Sequence, residues 1–401
     1  MLFEIVLWMI LGIVAGCITG LVPGLHVNMI AALLLSLFLQ YSLNIELVFI
    51  GVFIIALGIT HTFVSFIPTL FLGVPTPDTV VSMLPSHQLV NEGRGYEALQ
   101  LCAWGSLGGV MILGLIYTIA YFFILPFYEQ FSEHIGKVLL IVLIYMILGE
   151  EELNAKFWAI IIVLLSGGFG LITLNSLYVQ NPLFLIFTGM FGTATLLIAL
   201  LQDTQFVMQD TSKTINFQPS YLIGIVLGSV SAMLCSISPG LGNAQAGTIA
   251  VSVLRRAKAE MMIVVLSTIN TVNFGLSVLT LYVLDRARNG AIMVFQELEL
   301  QITLEMMFIF FIVIIIVGLI AYDATLFLGK YVISFAEHVS TQKLNLIIAS
   351  LLTLVVMLIS NLSEVLTYFA ATALGILCVQ VGVRRVHLMA VLLVPIIVAL
   401  W

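Results

Sequence analysis

The chain has 401 residues, 62% of them hydrophobic and 8% charged, with a formal net charge of −7. A soluble domain carries about 25% charged residues, so composition excludes a soluble fold and points to an all-α polytopic membrane protein. Unbroken apolar tracts exclude an outer-membrane barrel, and the absence of any basic block or aromatic–basic patch gives no basis for nucleic-acid binding.

In chain order, the N-terminus lacks a basic region and carries Glu4, so the first apolar tract is expected to stay as a membrane helix. Ile5–Leu21 is long enough to span, and Gly12, Gly16 and Gly20 form a stripe of small residues that lets another helix approach closely. The tract breaks at Leu21-Val22-Pro23-Gly24-Leu25-His26-Val27-Asn28, a combination a plain membrane helix has no reason to carry. Met29–Leu39 follows, and a helix of that length rises only about 16 Å, half the hydrocarbon core. A half-helix beginning at Gly24 leaves its unpaired N–H groups at membrane depth, where only protein or a wet cavity satisfies them.

Leu47–Ile59 is a second tract and runs into the polar cluster Thr60-His61-Thr62. Phe63–Leu72 is again short and ends in Gly73-Val74-Pro75-Thr76-Pro77-Asp78-Thr79, so Phe63–Thr79 is expected to be a re-entrant or interfacial hairpin. A polar loop is expected over Pro85–Glu97, then spans at Leu99–Leu125, Val138–Leu148, Phe157–Leu174 and Leu183–Leu201. Glu150-Glu151-Glu152 beside Lys156 reads as a solvated loop. Cys17, Cys102, Cys235 and Cys378 read as small buried hydrophobes without metal spacing.

The second half restates this order. Gly224 and Gly228 match Gly12 and Gly16, Ile237-Ser238-Pro239-Gly240-Leu241-Gly242-Asn243-Ala244-Gln245 restates the Pro-Gly break, and Asn270-Thr271 stands where His61-Thr62 stood. Phe335-Ala336-Glu337-His338 echoes Phe131-Ser132-Glu133-His134, and Gly375 answers Gly192. Residues 1–202 are therefore expected to be a first membrane repeat, 203–219 a linker and 220–401 a second repeat. Arg255, Arg256 and Lys258 follow the second half-helix, whereas Gln40–Glu46 has no Lys or Arg. Basic loops stay cytoplasmic, so the two repeats are expected to be inverted.

Two such half-helices would point their N-termini at one centre, each with about half a positive charge and free N–H donors, an arrangement that favours an anion. Gly24, Gly240 and Gly242 permit close backbone approach, Asn28, Asn243 and Gln245 can orient a ligand, and Ser236 and Ser238 add hydroxyls. Carbonyls freed before each break could coordinate Na⁺. His26 and His61 are candidates for a proton-linked role; the alternative for each is a neutral ring bonded to backbone in a helix crossing. Asp323, within Met306–Leu328, is an intramembrane acid or sits near the wet end of a long tract. Arg94, Arg286 and Arg288 are anion clamps or interfacial anchors. His87, His134, His338 and His387 are expected near interfaces. No zinc, nucleophile-elbow or Asp-rich metal motif is present, so the chain is not read as an enzyme.

These residues resemble a known family. Gly12, Gly16 and Gly20 ahead of Pro23-Gly24-Leu25, the Gly73-Val74-Pro75 loop, then Thr79, Gly93 and Ala98-Leu99, look like the large membrane subunit of the tripartite tricarboxylate transporters, the TctA family, in a short divergent branch seen in archaea. The likeness runs through Arg384-Arg385. It departs where Pro85-Ser86-His87 replaces the family's common Asp-Gly-Tyr and where His26 follows Leu25. The resemblance implies uptake of citrate-like carboxylates driven by an ion gradient, with a solute-binding protein and a small membrane subunit as partners. A weaker resemblance, to bacterial polyprenyl-phosphate transporters, implies a lipid phosphate instead.

The expected protein is thus a multi-pass transporter of the cell membrane, among membrane lipids, with a homodimer as a candidate assembly. It would carry a small organic anion with Na⁺ or H⁺ coupling and no resident cofactor. Its expected site comprises Pro23, Gly24, Leu25, His26, Asn28, Ser238, Pro239, Gly240, Gly242, Asn243 and Gln245, flanked by Thr60, His61, Thr62, Asn270 and Thr271.

Overall fold

The computed structural model describes residues 1–22, 27–41, 46–73, 78–124, 134–180, 182–201, 207–215, 218–237, 242–254, 257–285, 287, 289–298, 300–338 and 341–400. Every regular element among these residues is helical, and nine of the described helices are long and apolar enough to cross a membrane. The first half contains α1 (Leu2–Leu21), α2 (Val27–Tyr41), α3 (Leu47–Val64), α4 (Phe66–Phe71), α5 (Met83–Asn91), α6 (Gly95–Ile119), α7 (Ile135–Leu148), α8 (Leu153–Leu174), α9 (Pro182–Phe187) and α10 (Ala194–Leu201). The second contains α11 (Pro219–Ile237), α12 (Asn243–Val253), α13 (Ala259–Leu284), α14 (Gly290–Glu297), α15 (Leu304–His338), α16 (Thr341–Ile359), α17 (Leu362–Gln380) and α18 (Ala390–Ala399).

Two expectations about local structure are corrected. Phe63 does not begin a new segment: α3 continues through Thr60-His61-Thr62 to Val64, and α4 carries the helical run on to Phe71. The run only bends at Ser65, whose N–H still donates to His61 O at 3.0 Å. Pro68 has no N–H to offer Val64 and its ring crowds that carbonyl, which explains a bend about one turn upstream. The hairpin tip, Val74–Pro77, lies outside the described residues. The expected polar loop at Pro85–Glu97 is in large part helix α5, with Pro85 tolerated in its first turn. Gly93, at φ +76°, follows the end of that helix.

The glycine stripe does what its spacing predicts. A Cβ on Gly12 would lie 2.6 Å from Phe53 O, and one on Gly16 would lie 2.6 Å from Leu57 O, so α1 and α3 pack backbone to backbone. In the second half a Cβ on Gly228 would lie 2.6 Å from Val265 O, which sets α11 along α13 in the same way. The correspondence extends further. Helix α3 lies against α15 and α13 against α6, while α2 meets α14 and α12 meets the Val80–Ser82 turn. The helical run Leu47–Phe71 and helix α13 are the two most enclosed of the nine candidate spans. They carry Thr60-His61-Thr62 and Asn270-Thr271, so both polar clusters are held in the protein interior and away from lipid.

Candidate functional site

Two short helices begin at one place. Helices α2 and α12 would rise about 22 and 16 Å, too little to span. Val27, at the start of α2, and Asn243, at the start of α12, line the same cavity. Helix α3 contributes Gly58, His61 and Thr62, and α13 contributes Asn270 and Phe274. Asp78 and Asn289 close the wall. The cavity volume is about 20 Å³, room for roughly one water, so a multi-carbon ligand enters only if these elements part.

A polar network fixes the cavity. Asn243 Nδ2 donates to Asp78 Oδ1 at 2.9 Å and to Asn270 Oδ1 at 3.0 Å. Asn270 Nδ2 donates to Thr62 O at 3.2 Å, and Thr271 Oγ1 to Thr62 Oγ1 at 3.1 Å. Thr62 passes its own proton to Ile59 O at 2.7 Å. Behind them, His61 Nδ1 lies 3.1 Å from Thr19 Oγ1, which donates to Gly16 O. Gly242 O accepts from Ala246 N at 3.1 Å and so opens the α12 ladder.

Of the expected site residues, the structure brings His61, Thr62, Asn243 and Asn270 to one cavity, with Thr271 in the layer behind. Others are placed differently. The Asn28 side chain lies against Gly290, where an added Cβ would be 2.7 Å from its Cγ. Thr60 packs against Gly16 of α1, because one residue's rotation around α3 turns it away from the cavity. Pro23, Gly24, Leu25, His26, Ser238, Pro239 and Gly240 lie outside the described residues; Gln245 sits in the first turn of α12. Asp78 and Asn289 were missed. Each follows the enclosed helix of its half, Asp78 17 residues after His61 and Asn289 19 after Asn270, so no single repeat offset flags the pair.

One further expectation is corrected, at Glu150, and three open readings are narrowed. Arg94 is no anion clamp: it pairs with Glu97 at 2.7 Å, Glu260 at 2.8 Å and Glu92 at 3.0 Å, and these carboxylates raise its pKa. Arg286 and Arg288 lie outside the described residues. Asp323 sits on an exposed face of α15 and does not line the cavity. His387 is fully buried, with Nε2 2.7 Å from Glu150 Oε1. Glu150 is no solvated loop residue, since its side chain is 10% exposed and also accepts from Arg384 Nε at 2.6 Å.

Burial raises the Glu150 carboxyl, but the hydrogen bonds from Arg384 and His387 outweigh it and hold the group below the ordinary carboxylate range. A depressed folded-state value stabilises above the unfolded-state pKa, and that contribution is lost as pH falls through the folded value. Glu150→Gln is therefore expected to lower stability at pH 7 by about 1–3 kcal/mol and to flatten the decline on acidification. Thermal unfolding at pH 7 and in steps through the acid range reads both; parallel curves for variant and wild type would contradict it.

A small polar cavity at the starts of two short helices, among apolar spans, defines a multi-pass α-helical membrane protein with a buried polar centre. The chain belongs to the tripartite tricarboxylate transporter TctA family, whose model matches residues 6–390. It is also 31% identical over 352 residues to an uncharacterized protein of Methanocaldococcus jannaschii, covering 86% of each chain. No solved structure matches it.

Proposed function

We propose that the chain is a secondary transporter of the cell membrane. It moves a di- or tricarboxylate by alternating access, coupled to Na⁺ or H⁺, through two inverted repeats. The observation that carries this reading is the convergence of the α2 and α12 starts on one cavity between the two most enclosed helices. Helix starts supply N–H donors and partial positive charge to an anionic group. Broken segments in matching halves are how transporters of inverted-repeat design build such sites. The paired contacts of the two halves, α1 on α3 with α11 on α13 and α2 on α14 with α12 on the Val80–Ser82 turn, support the repeat. The small cavity fits one conformation of an alternating cycle.

Family membership supports partners of two kinds, a small membrane subunit and a solute-binding protein. A homodimer is the simplest further assembly. The test is reconstitution in proteoliposomes with radiolabelled citrate-like acids, with and without an imposed Na⁺ or pH gradient. Accumulation against the acid's own gradient is expected. Translocation of a polyprenyl phosphate with no carboxylate uptake would replace this reading.

A further inference from the structure

Two oxygens in the cavity already converge on one point. Asp78 Oδ1 and Asn270 Oδ1 lie 2.9 and 3.0 Å from Asn243 Nδ2, and both accept from it. Asn270 cannot turn its other end inward without losing its bond to Thr62 O. Asn243 is 9% exposed, and its own Oδ1 is buried and accepts no hydrogen bond. A buried acceptor left this way costs about 1–3 kcal/mol and is rare enough in native structures to need a reason.

A half-turn of the Asn243 carboxamide about Cβ–Cγ supplies one. It carries Oδ1 to the place now held by Nδ2, about 3 Å from both the Asp78 and Asn270 oxygens, a crowding of three acceptors that a cation between them relieves, with Thr62 in the same wall. That donor set suits a hard cation. In the present arrangement the amide N–H₂ neutralises the oxygens that the cation would otherwise hold. Size and charge narrow the guest. The cavity of about 20 Å³ admits one atom-sized species, and among its described lining residues Asp78 is the sole carboxylate. A single negative charge balances a single positive one. A divalent ion would want more carboxylates, and no group of three His, Cys, Asp or Glu is poised for a metal among the described residues.

We propose that Asp78, Asn243 and Asn270, with Thr62, form a binding site for one monovalent metal cation of the Na⁺ class, and that the Asn243 carboxamide turns between N–H₂-inward and O-inward states as the ion leaves and enters. The proposal rests on the transport reading only in naming this cation as the coupling ion. Among the described lining residues Asp78 and His61 are the titratable groups that face the site, which makes a proton the competing occupant.

The experiment uses the purified full chain in lipid nanodiscs, with thermal unfolding followed while NaCl replaces choline chloride at constant ionic strength. A saturable rise of the midpoint by several degrees is expected with Na⁺, because a ligand that binds only the folded state stabilises it. KCl should need roughly tenfold more salt for the same rise. Asp78→Asn and Asn270→Ala should each move the Na⁺ response to at least about tenfold higher concentration, while Asn243→Asp, which fixes an oxygen inward, should respond at lower concentration. Asp323→Asn, on the exposed face of α15, should behave as wild type. Identical curves in Na⁺ and choline, an unshifted response in Asp78→Asn and Asn270→Ala, or a Na⁺ effect reproduced by lowering pH alone would overturn the proposal. Should Asp78→Asn fail to fold, the other two variants decide. Carboxylate binding measured on the same preparation separates the readings: Na⁺ binding without any carboxylate binding removes transport and keeps the site, whereas carboxylate binding without a Na⁺ response removes the site and keeps transport.

Discussion

Asn243→Ala is expected to reduce carboxylate uptake in proteoliposomes by about 10- to 100-fold, a loss of roughly 1.4–2.7 kcal/mol, while the protein still inserts and folds. Asn243 opens α12 and its amide bridges Asp78 to Asn270. Truncation removes the donor that Asp78 Oδ1 and Asn270 Oδ1 share, and a buried hydrogen bond lost this way costs about 1–3 kcal/mol. The fold survives because α12 is also held by apolar contacts, including Ala244, Ala246 and Ala250 in the main core. Asn28→Ala, whose side chain lies against Gly290 and outside the cavity wall, should lose less than Asn243→Ala. Size-exclusion profiles confirm folding, and initial uptake rates rank the two. Equal rates for wild type and Asn243→Ala would place the anion path elsewhere.

The second large effect is a packing one. A Cβ on Gly58 of α3 would lie 1.8 Å from Phe274 Cζ of α13, and both residues line the cavity. Gly58→Leu must drive Phe274, itself buried, out of place, and overpacking of this kind costs about 1–3 kcal/mol. Uptake should be lost outright, because the wedge separates the two most enclosed helices at the site itself. Phe274→Ala alone leaves a void and should cost about 3–5 kcal/mol. Combined, the two changes fill each other's defect, so the double variant should be more stable than the sum of the singles by about 0.5–3 kcal/mol. Thermal or denaturant unfolding of the four proteins measures this coupling; strict additivity would mean that the ring does not sit over Gly58.

Much of this molecule was legible because it follows from local rules. Low charge and long apolar tracts give membrane helices wherever they occur. The spacing of Gly12 and Gly16, and of Gly224 and Gly228, announces close helix approach. Polar residues such as His61 and Asn270 in apolar tracts need an interior partner, whatever the fold. These are properties of composition and short-range period, which a chain carries in itself.

Other features depend on contacts between segments distant in sequence. Which residues of α3 face inward is set by how far the helix is rotated against α1 and α13, and that rotation puts His61 and Thr62 at the cavity but Thr60 on Gly16. Glu150 read as solvent-facing because its neighbours in the chain are acidic; Arg384 and His387, which enclose it, arrive only through the packing of the last helices. Asp78 gave no sign of itself in a Pro-rich loop until folding carried it 2.9 Å from Asn243. The sequence by itself determined a helical membrane protein with polar residues at depth. The tertiary structure decided which of them meet, because the side-chain direction on a buried helix is a property of the whole packing and of no single segment.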